Sequence, residues 1–170
     1  MSEDVFRRLQ EQLDQYSVGF PATESGVEIE ILKMLFTEED AEMYLKMSMM
    51  LETPESVAGR LKQDVAPVAL LLDGMAEKGL LFRVGKGREP KYGAAPFVVG
   101  IYEFQLKTMD AQLARLFEAF FEEAFCEQGS QQIVPMRTIP VNKSIGVSWK
   151  VTPYEDARGI IKSMERLAVA

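Results

Sequence analysis

The sequence has 170 residues, 47% of them hydrophobic and 26% charged, as expected for a globular protein with a buried core. It contains no histidine and one cysteine. This excludes an internal disulfide, a histidine-dependent catalytic triad, and a zinc or iron–sulfur site built from this chain alone. The net charge of −7 opposes long-range attraction to nucleic acid.

The same features predict a location and a broad class. A single cysteine fits a reducing compartment, so we expect a cytoplasmic protein. No stretch approaches the roughly 20 apolar residues of a membrane span, and the charged N-terminus is unlike a signal peptide. The sequence contains neither a nucleophile elbow nor a phosphate-binding loop, which predicts that the protein is not an enzyme.

Residues 1–26 form the first predicted region, an amphipathic helix over residues 2–16 followed by a loop. Its inward face consists of apolar side chains at helical spacing: Val5, Phe6, Leu9, Leu13 and Tyr16. A second helix is predicted over residues 27–36, and a third begins where Thr37 and Asp40 can form a capping box. The methionines between Met43 and Met50 suit either a core or an adaptable contact surface.

The order of signals in residues 53–96 predicts a winged helix-turn-helix, within a domain that spans residues 27–96. Thr53 and Pro54 suit the start of one helix, and Asp64 suits the cap of the next. Gly79 suits the left-handed residue that ends this second helix. Strand-forming residues on both sides of a turn-rich tip then predict a β-hairpin, the wing. The predicted fold class is mostly α with small β elements (α+β).

Charge separates two possible uses of this winged helix. A helix that reads DNA normally presents Arg, Lys, Asn or Gln to bases and phosphates. Residues 64–78 carry three acids and a single Lys, so we predict a solvent face that is acidic or small. The wing is basic and could contact phosphate through four side chains: Arg83, Lys86, Arg88 and Lys91. DNA binding through the wing stays open, but contact with a protein is the favoured interpretation.

Residues 97–128 are predicted to form one long helix with an apolar stripe rich in Phe. The stripe is larger than one small winged helix needs to cover, which favours a homodimer or an interdomain contact. The proposed contact residues are Phe97, Ile101, Phe104, Leu113, Phe117, Phe120 and Phe121. The N-terminal helix could instead cover the same stripe. Cys126 is interpreted as an inert, partly buried thiol.

Residues 129–170 are predicted to form a small β/α segment after a polar linker. Apolar and polar residues alternate in residues 145–151, which is typical of a strand. Residues 166–170 also have the composition of an apolar strand. We expect this last strand either to pair with residues 147–151 or to lead into a cysteine-rich domain of a longer protein.

Four stretches carry a resemblance to a known family: ILKMLFTEEDAEMYLKMSMMLETPESVAGRL, LLDGMAEKGLLFR, KYGAAPFVVGIYEFQL and VTPYEDARGIIKSMERLAVA. Over most of residues 27–170 they resemble the N-terminal region of bacterial and archaeal 4Fe–4S ferredoxin-type iron–sulfur proteins. The resemblance implies a winged-helix-like module followed by a cysteine-rich segment that binds 4Fe–4S clusters. This chain lacks the cluster ligands, so no metal, cofactor or catalytic residue is assigned in it, and clusters are expected only in a longer protein.

The resulting hypothesis is a non-catalytic N-terminal module of a ferredoxin-like electron-transfer protein. Its winged helix would contact or position a redox partner protein or the protein's own ferredoxin domain. The alternative is a winged-helix transcriptional regulator that contacts phosphate through the basic wing. Neither hypothesis involves a membrane.

Overall fold

The computed structural model describes residues 2–16, 18–85 and 89–127, together with residue 162. All of these except residue 162 belong to one compact unit. This part of the chain forms seven α-helices and two strands, in the order α1 Ser2–Asp14, α2 Val27–Leu35, α3 Glu38–Tyr44, α4 Pro54–Leu61, α5 Val65–Glu77, β1 Leu81–Val84, β2 Lys91–Ala94, α6 Tyr102–Gln105 and α7 Ala111–Phe121. The arrangement is mostly helical α+β, as predicted.

Helix α1 has the inward face that its sequence predicts. Its apolar residues at helical spacing, with the exception of the partly buried Tyr16, are fully buried, and the helix packs against α2 and α3. The predicted capping box at the start of α3 is also confirmed. The Asp40 N–H donates to Thr37 Oγ1 at 3.1 Å, and the Thr37 N–H donates to Asp40 Oδ2 at 2.9 Å. These two bonds satisfy N–H groups that the helix itself leaves unpaired.

Helices α4 and α5 begin and end at local signals in the sequence. Thr53 caps α4 by accepting from the Ser56 N–H at 3.3 Å. Asp64 occupies the cap position of α5, but its side chain makes no cap hydrogen bond, so that part of the prediction is wrong. Helix α5 ends at Glu77, and Gly79 follows with φ 75°, while the Leu80 N–H donates to the Met75 carbonyl at 2.9 Å. This left-handed ending turns the chain directly into β1.

The two strands form an antiparallel hairpin that the chain before α4 extends. Leu81 lies opposite Ala94, and Val84 lies opposite Lys91. Glu52 pairs with Tyr92 through two backbone hydrogen bonds of 2.8 and 2.9 Å, on the edge of β2 away from β1. The hairpin is therefore held on one side by an isolated β-bridge to the segment that precedes α4.

The single long helix predicted for residues 97–128 is wrong. Residues Phe97–Ile101 form an irregular π-helical turn, in which Val99 is left-handed with φ 61°. The Glu103 carboxylate accepts from the Val99 N–H at 3.0 Å and the Gly100 N–H at 2.7 Å, which holds this turn. A second break follows α6, because Asp110 caps α7 by accepting from the N–H groups of its first turn. Asp110 is a helix-start signal inside an apolar pattern that otherwise continues across the break.

The β/α segment predicted for residues 129–170 lies outside the described residues, apart from residue 162. Among the helices of the described part, none is long and apolar enough to cross a membrane.

Lys62 gives a first testable prediction. It follows α4 in the left-handed conformation, with φ 56°, and its neighbour Gln63 donates its N–H to the Ala58 carbonyl at 3.0 Å. This is a position that glycine adopts without steric penalty. We expect Lys62→Gly to raise the free energy of unfolding by about 0.5–1 kcal/mol, measured by urea denaturation. Lys62→Ala, which keeps the Cβ, is the control and is expected to stay within about 0.5 kcal/mol of the wild type. A destabilised Lys62→Gly variant would contradict the prediction.

Candidate interaction surface on α5 and the hairpin

The buried face of α5 fixes which of its residues face solvent. Val68, Leu72 and Met75, at helical spacing, are fully buried in the core. Leu70 lies two residues before Leu72, which at about 100° per residue places it on the opposite side of the helix. Its side chain is 76% exposed, the largest exposure of any large apolar residue in the described part of the chain.

The solvent face of α5 is more apolar than predicted. Val65, Ala66 and Pro67 are exposed in its first turn, followed by Leu70 in its middle. The expectation of an acidic or small face therefore holds only for the C-terminal half of α5, where Asp73 and Glu77 lie on the solvent side. The N-terminal half is apolar. The sequence contained the signal for Leu70, because α5 has more apolar residues than its buried face uses.

The cations next to α5 are paired with carboxylates of the same chain. Lys78 Nζ lies 2.6 Å from Asp40 Oδ2, and Arg83 Nε lies 3.4 Å from Asp73 Oδ1. The Tyr92 hydroxyl donates to the same Asp73 oxygen. Burial, together with this hydrogen bond to a carboxylate, raises the pKa of Tyr92 above its usual value. Asp73 therefore connects α5 to both strands of the hairpin.

The wing is only partly described. Arg83 is exposed but engaged with Asp73, and Lys91 is exposed with no ion pair to any described residue. Lys86 and Arg88 lie outside the described residues. Of the four cations that sequence reasoning assigned to phosphate contact, the structure thus places Arg83 on β1, paired with Asp73, and Lys91 on β2, exposed to solvent. Arg83 lies opposite Tyr92 and Val84 lies opposite Lys91, so the side chains of Arg83 and Lys91 project from opposite faces of the hairpin.

Most of the predicted partner-contact residues lie inside this chain's own core. Five of the seven are fully buried: Phe97, Ile101, Leu113, Phe117 and Phe120. The ring of Phe20 packs on Phe97 and Phe120, with centroids 4.0 and 4.6 Å apart, and α2 packs against α7. The stripe is therefore covered by α2 and the loop before it. Phe121 is half-buried, and Phe104 remains 46% exposed. A homodimer stays a prediction. Of its proposed contact residues, only Phe104 and Phe121 are not fully buried.

The acidic side chains of the described residues do not form a cluster suited to a metal. No group of three or more Cys, Asp and Glu side chains in that part of the chain has metal-binding geometry. A 4Fe–4S cluster takes four thiolates, and the chain has one cysteine, so these residues do not fit such a cluster. Glu123 lies in the π-helical turn Glu122–Glu127 that follows α7. Its carboxylate accepts from the Ser25 N–H at 3.0 Å and from the Ser25 hydroxyl at 2.6 Å. These bonds lower the pKa of Glu123.

Comparison of this chain with protein-family models, with curated proteins and with solved structures gives no match. The observations therefore define a class and no more: a mostly helical α+β module whose helix–turn–helix is followed by a β-hairpin. The similarity to ferredoxin-type iron–sulfur proteins stays an expectation from the four quoted stretches.

Proposed function

We propose that this protein is a non-catalytic winged-helix module that binds another protein through the exposed face of α5. The observation that carries this proposal is Leu70, a large apolar side chain 76% exposed at the centre of the helix that would enter a DNA groove. An exposed apolar side chain on that face has no partner among base edges or phosphates. It is suited to the desolvated centre of a protein interface.

The winged-helix assignment rests on the order and pairing of the elements. Helices α4 and α5 are joined by a three-residue turn, and α5 leads directly into the hairpin. The pairing of Glu52 with Tyr92 joins the segment that precedes the two helices to β2. Asp73 then holds the hairpin against α5 through Arg83 and Tyr92. These contacts support a rigid presentation of the α5 face.

We place this module in an electron-transfer protein, as the resemblance to ferredoxin-type proteins implies. The described residues would then recognise or position a redox partner or a ferredoxin domain, while clusters would be bound elsewhere. The test is the visible spectrum of the product of the complete reading frame, purified without oxygen, with iron and sulfide assays. A thiolate-to-iron charge-transfer band that bleaches on reduction supports this context. A colourless, iron-free product refutes it, and leaves the protein-binding proposal to be tested separately.

Protein binding through α5 gives a second prediction. A photo-crosslinking amino acid at position 70 in the full chain is expected to capture one defined partner, which is then purified. Leu70→Asp is expected to weaken its binding at least tenfold, or about 1.4 kcal/mol, because a carboxylate cannot be desolvated in an apolar interface. Glu55→Lys, an exposed change on α4, is the control and should leave affinity unchanged. A partner that binds wild type and Leu70→Asp equally well would refute the proposal.

DNA binding through the wing is the alternative, and a salt-dependent titration discriminates it. Non-specific DNA binders show dissociation constants of about 10⁻⁴ to 10⁻⁶ M that weaken steeply with salt. We expect no saturation of a mixed-sequence duplex at about 10 µM protein at low salt. Saturation that is lost when Arg83, Lys86, Arg88 and Lys91 are changed to Ala would favour the alternative.

A further inference from the structure

A groove lies between the C-terminal ends of α2 and α5 and the turn after α6, away from the buried face of α5. Its volume is about 730 Å³, and it is open to solvent rather than enclosed. We call it the Phe104 groove. Its apolar lining includes Met34, Leu35, Ala76 and Phe104. Met34 and Phe104 are 40% and 46% exposed, so the groove offers large apolar groups to a ligand without rearrangement.

The position of Phe104 in this groove is fixed by its neighbours. Gly79 has no side chain, and a Cβ added there would lie 2.5 Å from the Cβ of Phe104. The ring of Phe104 packs on that of Phe82, with centroids 5.8 Å apart. The next residue, Gln105, donates its side-chain N–H to the Lys78 carbonyl at 2.9 Å. These contacts with Gly79, Phe82 and Lys78 hold the segment around Phe104 in place, so the position of its exposed ring is fixed.

The charges around the Phe104 groove are of one dominant sign. Three lysines line it (Lys33, Lys78 and Lys107) against a single acid, Glu77. Lys78 is paired with Asp40, whereas Lys33 and Lys107 are exposed and make no ion pair with a described residue. Glu103, next to Phe104 in sequence, is not among the residues that line the groove, and its carboxylate faces the turn whose Val99 and Gly100 N–H groups donate to it. A positive rim around an apolar floor is unusual in a chain with a net charge of −7.

We propose that the Phe104 groove binds an acidic amphipathic segment of a partner protein. Apolar side chains of that segment would cover Met34 and Phe104, and its carboxylates would face Lys33 and Lys107. An amphipathic helix in a groove is a common mode of peptide recognition, and complementary charge at the rim selects the partner and its orientation. This groove meets the exposed face of α5 only at the C-terminal end of the helix and does not include Leu70, so the two proposals can fail independently.

The test uses the full chain and a fluorescein-labelled amphipathic peptide of about 15 residues, with a Leu stripe and a Glu polar face. A matched peptide carries Gln in place of Glu. By fluorescence anisotropy at about 50 mM salt, we expect the Glu peptide to bind about tenfold more tightly than the Gln peptide. Equal binding of the two peptides, or no binding of the Glu peptide, would overturn the proposal.

Variants then locate the binding. The double variant Lys33→Glu with Lys107→Glu is expected to lower the affinity for the Glu peptide at least tenfold. Lys62→Glu with Arg115→Glu changes the net charge by the same amount at exposed positions outside the groove, and should have little effect. Met34→Ser, an exposed change that should not disturb folding, is expected to weaken the binding of both peptides.

Two outcomes would overturn the groove as the binding site. If the control double variant weakens binding as much as the groove variant does, the attraction is only long-range and the groove is not the site. If Leu70→Asp alone abolishes binding, the peptide occupies α5, which overturns the groove but not the proposed function.

Discussion

Replacing Gly79 with Ala is expected to lower the free energy of unfolding by about 3 kcal/mol. Two effects combine. With φ at 75°, a Cβ strains the backbone by about 1–2 kcal/mol. The same Cβ would lie 2.5 Å from the Cβ of Phe104, which cannot rotate away because it is fixed to the backbone of α6. Overpacking of this kind typically costs about 1–3 kcal/mol. Urea denaturation followed by circular dichroism measures the loss.

Gly26 provides a matched control for this prediction. Its φ is 74°, almost the same as that of Gly79, but a Cβ added there would meet nothing within 4 Å. Gly26→Ala should therefore show only the backbone term, about 1–2 kcal/mol. The difference between the two variants isolates the contact with Phe104. Equal losses for both would mean that α6 shifts freely, and that the Phe104 groove is not braced as the structure indicates.

The second large effect is expected at Asp40, which joins α3 to α5. Its side chain is 1% exposed, accepts from the Thr37 N–H, and pairs with Lys78 at 2.6 Å. We expect Asp40→Asn to destabilise the protein by about 2 kcal/mol at neutral pH, because Asn can still cap α3 but loses the charge-assisted bond to Lys78. Glu39→Gln, an exposed change in the same helical turn, is the control and should cost less than about 0.5 kcal/mol.

The effect of Asp40 should depend on pH in one direction. Burial by itself raises the pKa of this carboxyl, but the hydrogen bonds from Lys78 and Thr37 outweigh burial and leave the pKa below its usual value of 3.8. A lowered folded-state pKa means that the stabilisation is complete above the unfolded-state pKa and is lost as the pH falls through the folded-state pKa. The difference between wild type and Asp40→Asn should thus be constant above about pH 5 and shrink below about pH 4. A difference that persists unchanged in acid would contradict this assignment.

Local signals in the sequence were enough to predict most of the described elements. Capping by Thr37 and Thr53, and the left-handed Gly79, each depend on residues within one helical turn, so tertiary packing does not alter them. Periodicity similarly identified the buried face of α1. Asp64 is an exception among these capping predictions. It occupies the predicted cap position of α5, but its side chain makes no cap hydrogen bond.

The breaks between residues 97 and 110 were decided by interactions that the apolar pattern does not report. Apolar residues at roughly helical spacing continue across Val99 and Asp110, and so they predict one helix. The Glu103 carboxylate holds the left-handed turn at Val99, and the Asp110 cap restarts the chain as α7. Apolar periodicity indicates that side chains face a core, but it does not indicate whether they belong to one helix or to two.

The sequence by itself determined the composition limits, the helical start and stop signals, and the hairpin, because each depends on residue chemistry or on neighbours a few positions away. Only the tertiary structure decided which apolar surfaces are covered. Phe20 and α2 cover most of the Phe stripe that the sequence analysis assigned to a partner contact, while Leu70 and Phe104 stay exposed. The tertiary structure also decided which charges remain for a ligand, since Lys78 is paired with Asp40, 38 residues earlier in the chain, and Arg83 is paired with Asp73 on the preceding helix. Burial and ion pairing join residues far apart in sequence, and their distances are fixed only when the helices pack.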